Sequence, residues 1–155
     1  MKTIIEDKEQ IEEIIQNCEF CSVGLIDENN NPYVIPMNFG YKKGVVYLHS
    51  GPEGKKIECL KHNKQICISF CLPNRLAYVN QEVACSYTMK SKSVMADCIV
   101  TFVDELEEKE SALNILMKHY SQGEFKYSLP ALKNVKVWKA EIQSITCREF
   151  GAKHK

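Results

Sequence analysis

Phe20-Cys21-Ser22-Val23-Gly24-Leu25-Ile26-Asp27-Glu28-Asn29-Asn30-Asn31-Pro32-Tyr33-Val34-Ile35-Pro36-Met37-Asn38-Phe39 is the stretch that decides the fold. Residues 20–26 have the apolar content of a strand, and 27–31 are a run of turn formers. Residues 32–39 return as the partner strand, which predicts an antiparallel hairpin. Pro36 interrupts the return. Lacking an N–H, it marks an edge, a bulge or an irregular stretch rather than a regular central strand. Such a break exposes backbone groups of Met37 and Asn38 to a ligand instead of a neighbouring strand.

Upstream, Asp7 and Gln10 have the spacing of a helix cap, and Ile11, Ile14 and Ile15 share a helical face that ends near Asn17. Downstream, Tyr41-Lys42-Lys43-Gly44 is a turn and 45–49 a strand. A helix over 54–63 turns Ile57 and Leu60 inward, and 65–72 is an apolar strand. Pro73-Asn74-Arg75 opens a less regular connection. Strands at 85–89 and 93–103 follow, with Lys90-Ser91-Lys92 between or within them. A second substantial helix opens at 104–109 and runs through Tyr120, with Leu106, Leu113, Leu116 and Met117 as its core stripe. Residues 121–134 carry no assignment, and 135–146, containing Trp138, form the closing strand. Six or seven mostly antiparallel strands with two or three peripheral helices predict a mainly β protein, with the sheet closed or nearly closed into a barrel. Closure would remove edges that invite pairing with other chains.

The chain of 155 residues is sized for one domain over 1–155. Its 20 basic and 20 acidic side chains balance, and no long basic run supplies the footprint of a nucleic-acid binder. Acidic residues enter at Glu6 and Asp7, before a signal-like apolar run could form. Nothing approaches the roughly 18 apolar residues of a membrane span. The expectation is a soluble, cytoplasmic protein. The eight cysteines are then expected as reduced, mostly buried thiols. Cys67, Cys71, Cys85 and Cys98 stand in apolar or strand-like surroundings. Cys18-Glu19-Phe20-Cys21 has CxxC spacing but precedes no thioredoxin-like unit.

Chemistry concentrates at Val45-Val46-Tyr47-Leu48-His49-Ser50-Gly51-Pro52-Glu53-Gly54-Lys55-Lys56. A strand there ends at a Gly/Pro corner, and a helix begins with unpartnered N–H groups that favour an anion. Lys55 and Lys56 add cations, and Ser50 and His49 add short hydrogen-bonding groups. Read locally, the same residues also fit a polar loop with two solvated lysines.

Three segments resemble the flavin mononucleotide (FMN)-binding split-barrel superfamily that includes pyridoxamine 5'-phosphate oxidase, and most of all its nitroimidazole-resistance-like branch. They are Pro32 to Phe39 and Tyr47 to Lys56 as quoted above, and Tyr87-Thr88-Met89-Lys90-Ser91-Lys92-Ser93-Val94. The resemblance implies a split β-barrel homodimer with FMN at the interface. It places Pro36, Met37 and Asn38 beside the flavin ring and His49 and Ser50 at the phosphate or ribityl side. Lys56, with Lys55 as substitute, neutralises phosphate, and Ser93 and Val94 lie on a strand that meets the flavin. Ser91 and Ala96-Asp97 depart from the family pattern, which bears on the ring contacts and the substrate pocket. The implied activity is FMN-dependent reduction of a small organic acceptor, such as a nitroaromatic or a quinone, with a nicotinamide nucleotide (NAD(P)H) as reductant. A second phosphorylated substrate lacks an arginine-rich clamp, since Arg148 is the only arginine near the C-terminus.

His49 is the one histidine in this region, a binding or tuning residue first and a catalytic acid second, since the cofactor carries the redox chemistry. Two other readings stay open: a flavin carrier without turnover, and a haem protein with His49 as ligand. His62 and His119 read as caps or surface groups. Trp138, Tyr78 and Phe125 are expected in the core or at a dimer contact.

Overall fold

The structure, a computed structural model, describes residues 2–151. Along the chain run β1 (Lys2–Ile5), α1 (Lys8–Gln16), β2 (Cys21–Ile26), β3 (Pro32–Met37), β4 (Gly40–Lys42), β5 (Val45–Ser50) and α2 (Lys55–His62). They are followed by β6 (Gln65–Cys71), β7 (Arg75–Tyr78), β8 (Tyr87–Val103), α3 (Leu106–Tyr120), α4 (Leu129–Asn134) and β9 (Lys136–Phe150).

Local signals place most of these. Asp7 caps α1 by accepting from the Gln10 N–H at 3.2 Å, and Ile11, Ile14 and Ile15 are buried. Asp27 nucleates the β2–β3 turn, its carboxylate accepting from the amides of Asn29 and Asn31 at 2.9 and 2.8 Å. The turn read at 41–44 is tighter than expected. Gly40–Lys42 is itself a strand on β5, and only Lys43 and Gly44 turn, both at positive φ (48° and 78°). The two strands expected at 85–89 and 93–103 are one continuous strand of 17 residues. The closing strand runs on to Phe150, because β1, which the sequence reading passed over, pairs with its last residues.

The nine strands form one antiparallel sheet in the order β3-β2-β6-β8-β9-β5-β4, with β1 on β9 and β7 on β8. No pairing joins β3 to β4, the two ends of that path. The sheet is open, so the predicted split β-barrel of six or seven strands, closed or nearly so, is corrected. Both ends are poor partners. β3 carries Pro32 and Pro36, which lack donors, and β4 is three residues long. Between them, the Phe39 N–H donates to the Tyr120 hydroxyl on α3 at 3.1 Å instead of to a strand.

One face of the sheet holds the main core, with Phe39, Leu48, Phe70, Val94 and Trp138 fully buried and α1 packed on it. On the other face, α3 covers β4, β5 and the start of β9. There Val103, Ala112 and Val137 make a second, smaller core. The approach is close at Gly40, where a methyl group would stand 2.6 Å from Leu116 Cα. The same outer face is bare over β3, β2 and β6, and it exposes Val34, Met95 and Ile99.

Candidate functional site

Residues adjacent in a strand face opposite ways, and this sorts the predicted site residues into two sets. Met37 and Val94 belong to the core, Val94 fully buried. Ser50 also turns to the core side. Its hydroxyl accepts from the buried Trp138 indole N–H at 3.1 Å and donates to the Gly51 carbonyl at 2.9 Å. Pro36 and Asn38 are exposed and Ser93 half-buried. Pro36 shares a cross-strand row with Ser22, Ser69 and Met95 on the bare outer face, and Ser93, two residues from Met95, lies on that face too. His49, paired with Val137, is exposed on the outer face beside α3 and α4.

His49 and Asn38 both line a cavity of about 480 Å³ between β5 and the α3–α4 pair. Its wall is apolar elsewhere, with Leu113, Leu116 and Met117 from α3 and Leu132 from α4. One side of the His49 ring is open to solvent. Loss of water on the other side, and secondarily the Lys56 charge, hold its imidazole below the ordinary histidine value.

Lys56 therefore shares a neighbourhood with His49, and Lys55 does not. The Lys55 ammonium sits 4.4 Å from the centre of the Tyr33 ring, toward the β2–β3 turn and Asp27. Helix α2 starts at Gly54, at φ 124°, without a side-chain cap. Its first-turn amides, the half-buried Lys56 and the open Gly51–Gly54 corner suit a phosphate. With an apolar cavity carrying hydrogen-bonding groups nearby, the residues present fit a phosphorylated aromatic cofactor. Ser93 and the Val103–Val137–His49 row lie ten residues apart on β8, about 30 Å of strand. One copy of the chain does not bring Ser93 and His49 together.

Several residues near the cavity escaped the sequence reading. The Tyr120 hydroxyl donates to the Glu19 carbonyl at 2.6 Å and accepts from Phe39. His119, expected as a cap or surface group, is half-buried 4.4 Å from the Phe39 ring, with Nε2 2.6 Å from the Cys18 carbonyl. Helix α4 lies where no element was assigned. Ser128 caps it by accepting from the Ala131 N–H at 3.3 Å, and Pro130 stands in its first turn. Ser-x-Pro was the legible signal for that helix.

All eight cysteines are free. Cys98 is buried as expected, but Cys71 and Cys85 are exposed and Cys67 intermediate, a correction for those three. Burial pushes the Cys18 thiol up to about 11 and Cys21 to about 12, the opposite of a reactive pair. Trp138 is core, while Tyr78 is exposed and stacks on Tyr87 at 4.9 Å. No helix among the described residues is long and apolar enough to cross a membrane.

Comparison with known proteins agrees with this layout. The pyridoxamine 5'-phosphate oxidase family pattern matches residues 7–149. A candidate 5-nitroimidazole antibiotic resistance protein of Bacteroides thetaiotaomicron is 48% identical. The match covers 96% of this chain and 87% of that one, with a TM-score of 0.88. The flavocytochrome Anf3 of Azotobacter vinelandii is 19% identical, with 98% and 71% of the two chains covered and a TM-score of 0.84. An FAD- and haem-binding protein of Mycobacterium smegmatis is 11% identical, with 99% and 75% covered and a TM-score of 0.85. The last two are likenesses of fold alone. No functionally curated protein matches the chain in sequence.

Proposed function

We propose, from the premise that this chain belongs to the pyridoxamine 5'-phosphate oxidase family and to its nitroimidazole-resistance-like branch, that it is an FMN-dependent reductase of small organic acceptors. The observation that carries the reading is the meeting of Lys56, the uncapped start of α2 and His49 beside an apolar cavity. The chemistry that a bound flavin supplies is two-electron transfer, in which a quinone gains a hydride and a proton to become a hydroquinone and a nicotinamide nucleotide restores the reduced cofactor.

This chain's residues bind and orient. Lys56 and the first α2 amides hold the phosphate, as a charge and as directed N–H donors. Asn38 supplies an amide at the ring side and Pro36 an exposed rim. His49, held neutral, offers a donor and an acceptor, and an acceptor's proton passes through its ring nitrogen. Ser50 acts indirectly by fixing the corner through Trp138 and Gly51. Val94 and Met37 shape the sheet from its core side, and Lys55 serves the β2–β3 turn.

The separation of Ser93 and His49 supports a homodimer. A second copy seated on the bare outer face would cover Val34, Met95 and Ile99 and carry its Ser93 to the first copy's flavin. The absorption spectrum of the untagged protein, followed by mixing of the reduced protein with a quinone, tests the reading. A flavin spectrum and rapid reoxidation are expected. A bound but inert flavin would mark a carrier, and an intense Soret band a haem protein.

A further inference from the structure

We propose that Lys64 and Lys136, gathered over the Phe102 ring, recognise the 2'-phosphate that distinguishes NADPH from NADH, so that the phosphorylated nucleotide is the reductant. That the nucleotide delivers electrons to a flavin rests on the reading above; the anion site itself does not.

Three elements build the site. Phe102, near the end of β8, pairs with Trp138 on β9 and is half-buried against the main core. Lys136 lies two residues before Trp138, on the same side of β9. Its ammonium stands 4.4 Å from the centre of the Phe102 ring. Lys64 follows α2, and its ammonium stands 5.1 Å from the same centre while donating to the Leu60 carbonyl at 2.7 Å. The ring attracts each cation, and the Leu60 carbonyl fixes one of them. Two ammonium groups are thus held together before a ligand arrives, which lowers the cost of ordering them on binding.

No acid in the fold offsets that charge. The ion pairs among the described residues are Lys61–Glu58, Lys92–Glu149 and Lys139–Glu141. Neither Lys64 nor Lys136 takes part, and Glu53 and Asp104, the acids close in sequence to the corner and to Phe102, pair with neither. Two like charges over one ring repel, and a dianion bound to both removes the repulsion. A phosphate monoester has that charge and acceptor oxygens for both lysines.

Position selects the source of the phosphate. Lys136 pairs with Ser50 across β5 and β9, with about 5 Å between their Cα atoms, so the site adjoins the candidate cofactor corner. It is separate from the cofactor's own phosphate, because Lys64 bonds the C-terminal end of α2 while Lys56 and the open amides stand at its start. That is roughly 12 Å of helix. A flavin dinucleotide would bring a second phosphate too, but as a diester with a single charge. The 2'-phosphate of NADPH is a monoester, which two ammonium groups match.

The experiment is calorimetric titration of FMN-saturated protein with NADP+ and NAD+, which differ only in the 2'-phosphate. NADP+ is expected to bind about tenfold more tightly, a preference that shrinks as salt is raised. Lys64→Ala and Lys136→Ala should each weaken NADP+ about tenfold and leave NAD+ and FMN affinities unchanged. Lys136→Arg should keep the preference. Equal binding of the two nucleotides, binding of neither, or a preference that survives both alanine substitutions overturns the proposal. So does a parallel loss of FMN in Lys136→Ala, which would assign the lysines to the cofactor. If the protein takes up no FMN, the flavin reading fails, and the same titrations of flavin-free protein still decide the anion site.

Discussion

The Trp138 indole N–H ends on the Ser50 hydroxyl at 3.1 Å, and that hydroxyl spends its own proton on Gly51. A serine at the candidate phosphate corner is thereby engaged with the core. Ser50→Ala would leave a fully buried indole N–H without its acceptor, a loss of about 1–3 kcal/mol. Urea denaturation should show that loss, while FMN affinity of the folded variant changes little. An unchanged midpoint with a large loss of FMN would return Ser50 to the ligand.

The two lysines at the start of α2 should behave differently. Lys56→Ala is expected to weaken FMN by about 1.5–3 kcal/mol, the range for a charge-assisted bond, and riboflavin hardly at all. Lys55→Ala should affect neither, because Lys55 lies over Tyr33. Titration of flavin-free protein with both ligands checks this. Equal losses for FMN and riboflavin would remove the phosphate from Lys56.

Acid should unmask His49. Its folded pKa lies below the ordinary value, so the unfolded chain takes up the proton first. Its contribution is therefore level above about pH 6.5 and turns against folding as pH falls through that value toward the lower folded pKa. Replacing it by Gln should remove that part of the acid-side decline. Stability curves of the two proteins between pH 7.5 and 5, superimposing within error, would contradict the assignment.

Thiol labelling should divide the cysteines by place. Cys71 and Cys85 are exposed and should react with a disulfide reagent in the native protein. Cys18, Cys21, Cys59, Cys98 and Cys147 are buried and should react only on unfolding. Cys21 and Cys98, with thiols pushed up to about 12, should be the slowest.

Gly40→Ala tests how closely α3 is seated. The added methyl would meet the backbone of Leu116 and Ile115, which cannot step aside as a flexible side chain can. A loss of about 1–3 kcal/mol is expected for such overpacking, and thermal unfolding measures it. A neutral result would mean that α3 shifts freely on β4.

The helices and hairpins were legible wherever the signal was local. Asp7, the 27–31 turn and the apolar periodicity of α1 and α3 are written into adjacent residues. Helix α4 was legible too, in Ser128 and Pro130, though six residues are too few for periodicity to speak. The period of two could also have separated His49 from Ser50. The family motif, read as a unit, joined what the pleat divides.

By itself, then, the sequence determined the longer helices, the central strands, the Asp7 cap, the 27–31 turn, the edge character of β3 and the family. These depend on residues close along the chain. Tertiary structure alone decided that the sheet stays open, which face α3 and α4 cover, and that Asn38 and His49 line one cavity. Those outcomes arise from contacts between residues tens of positions apart, where burial and close packing select among arrangements that local preference leaves equal.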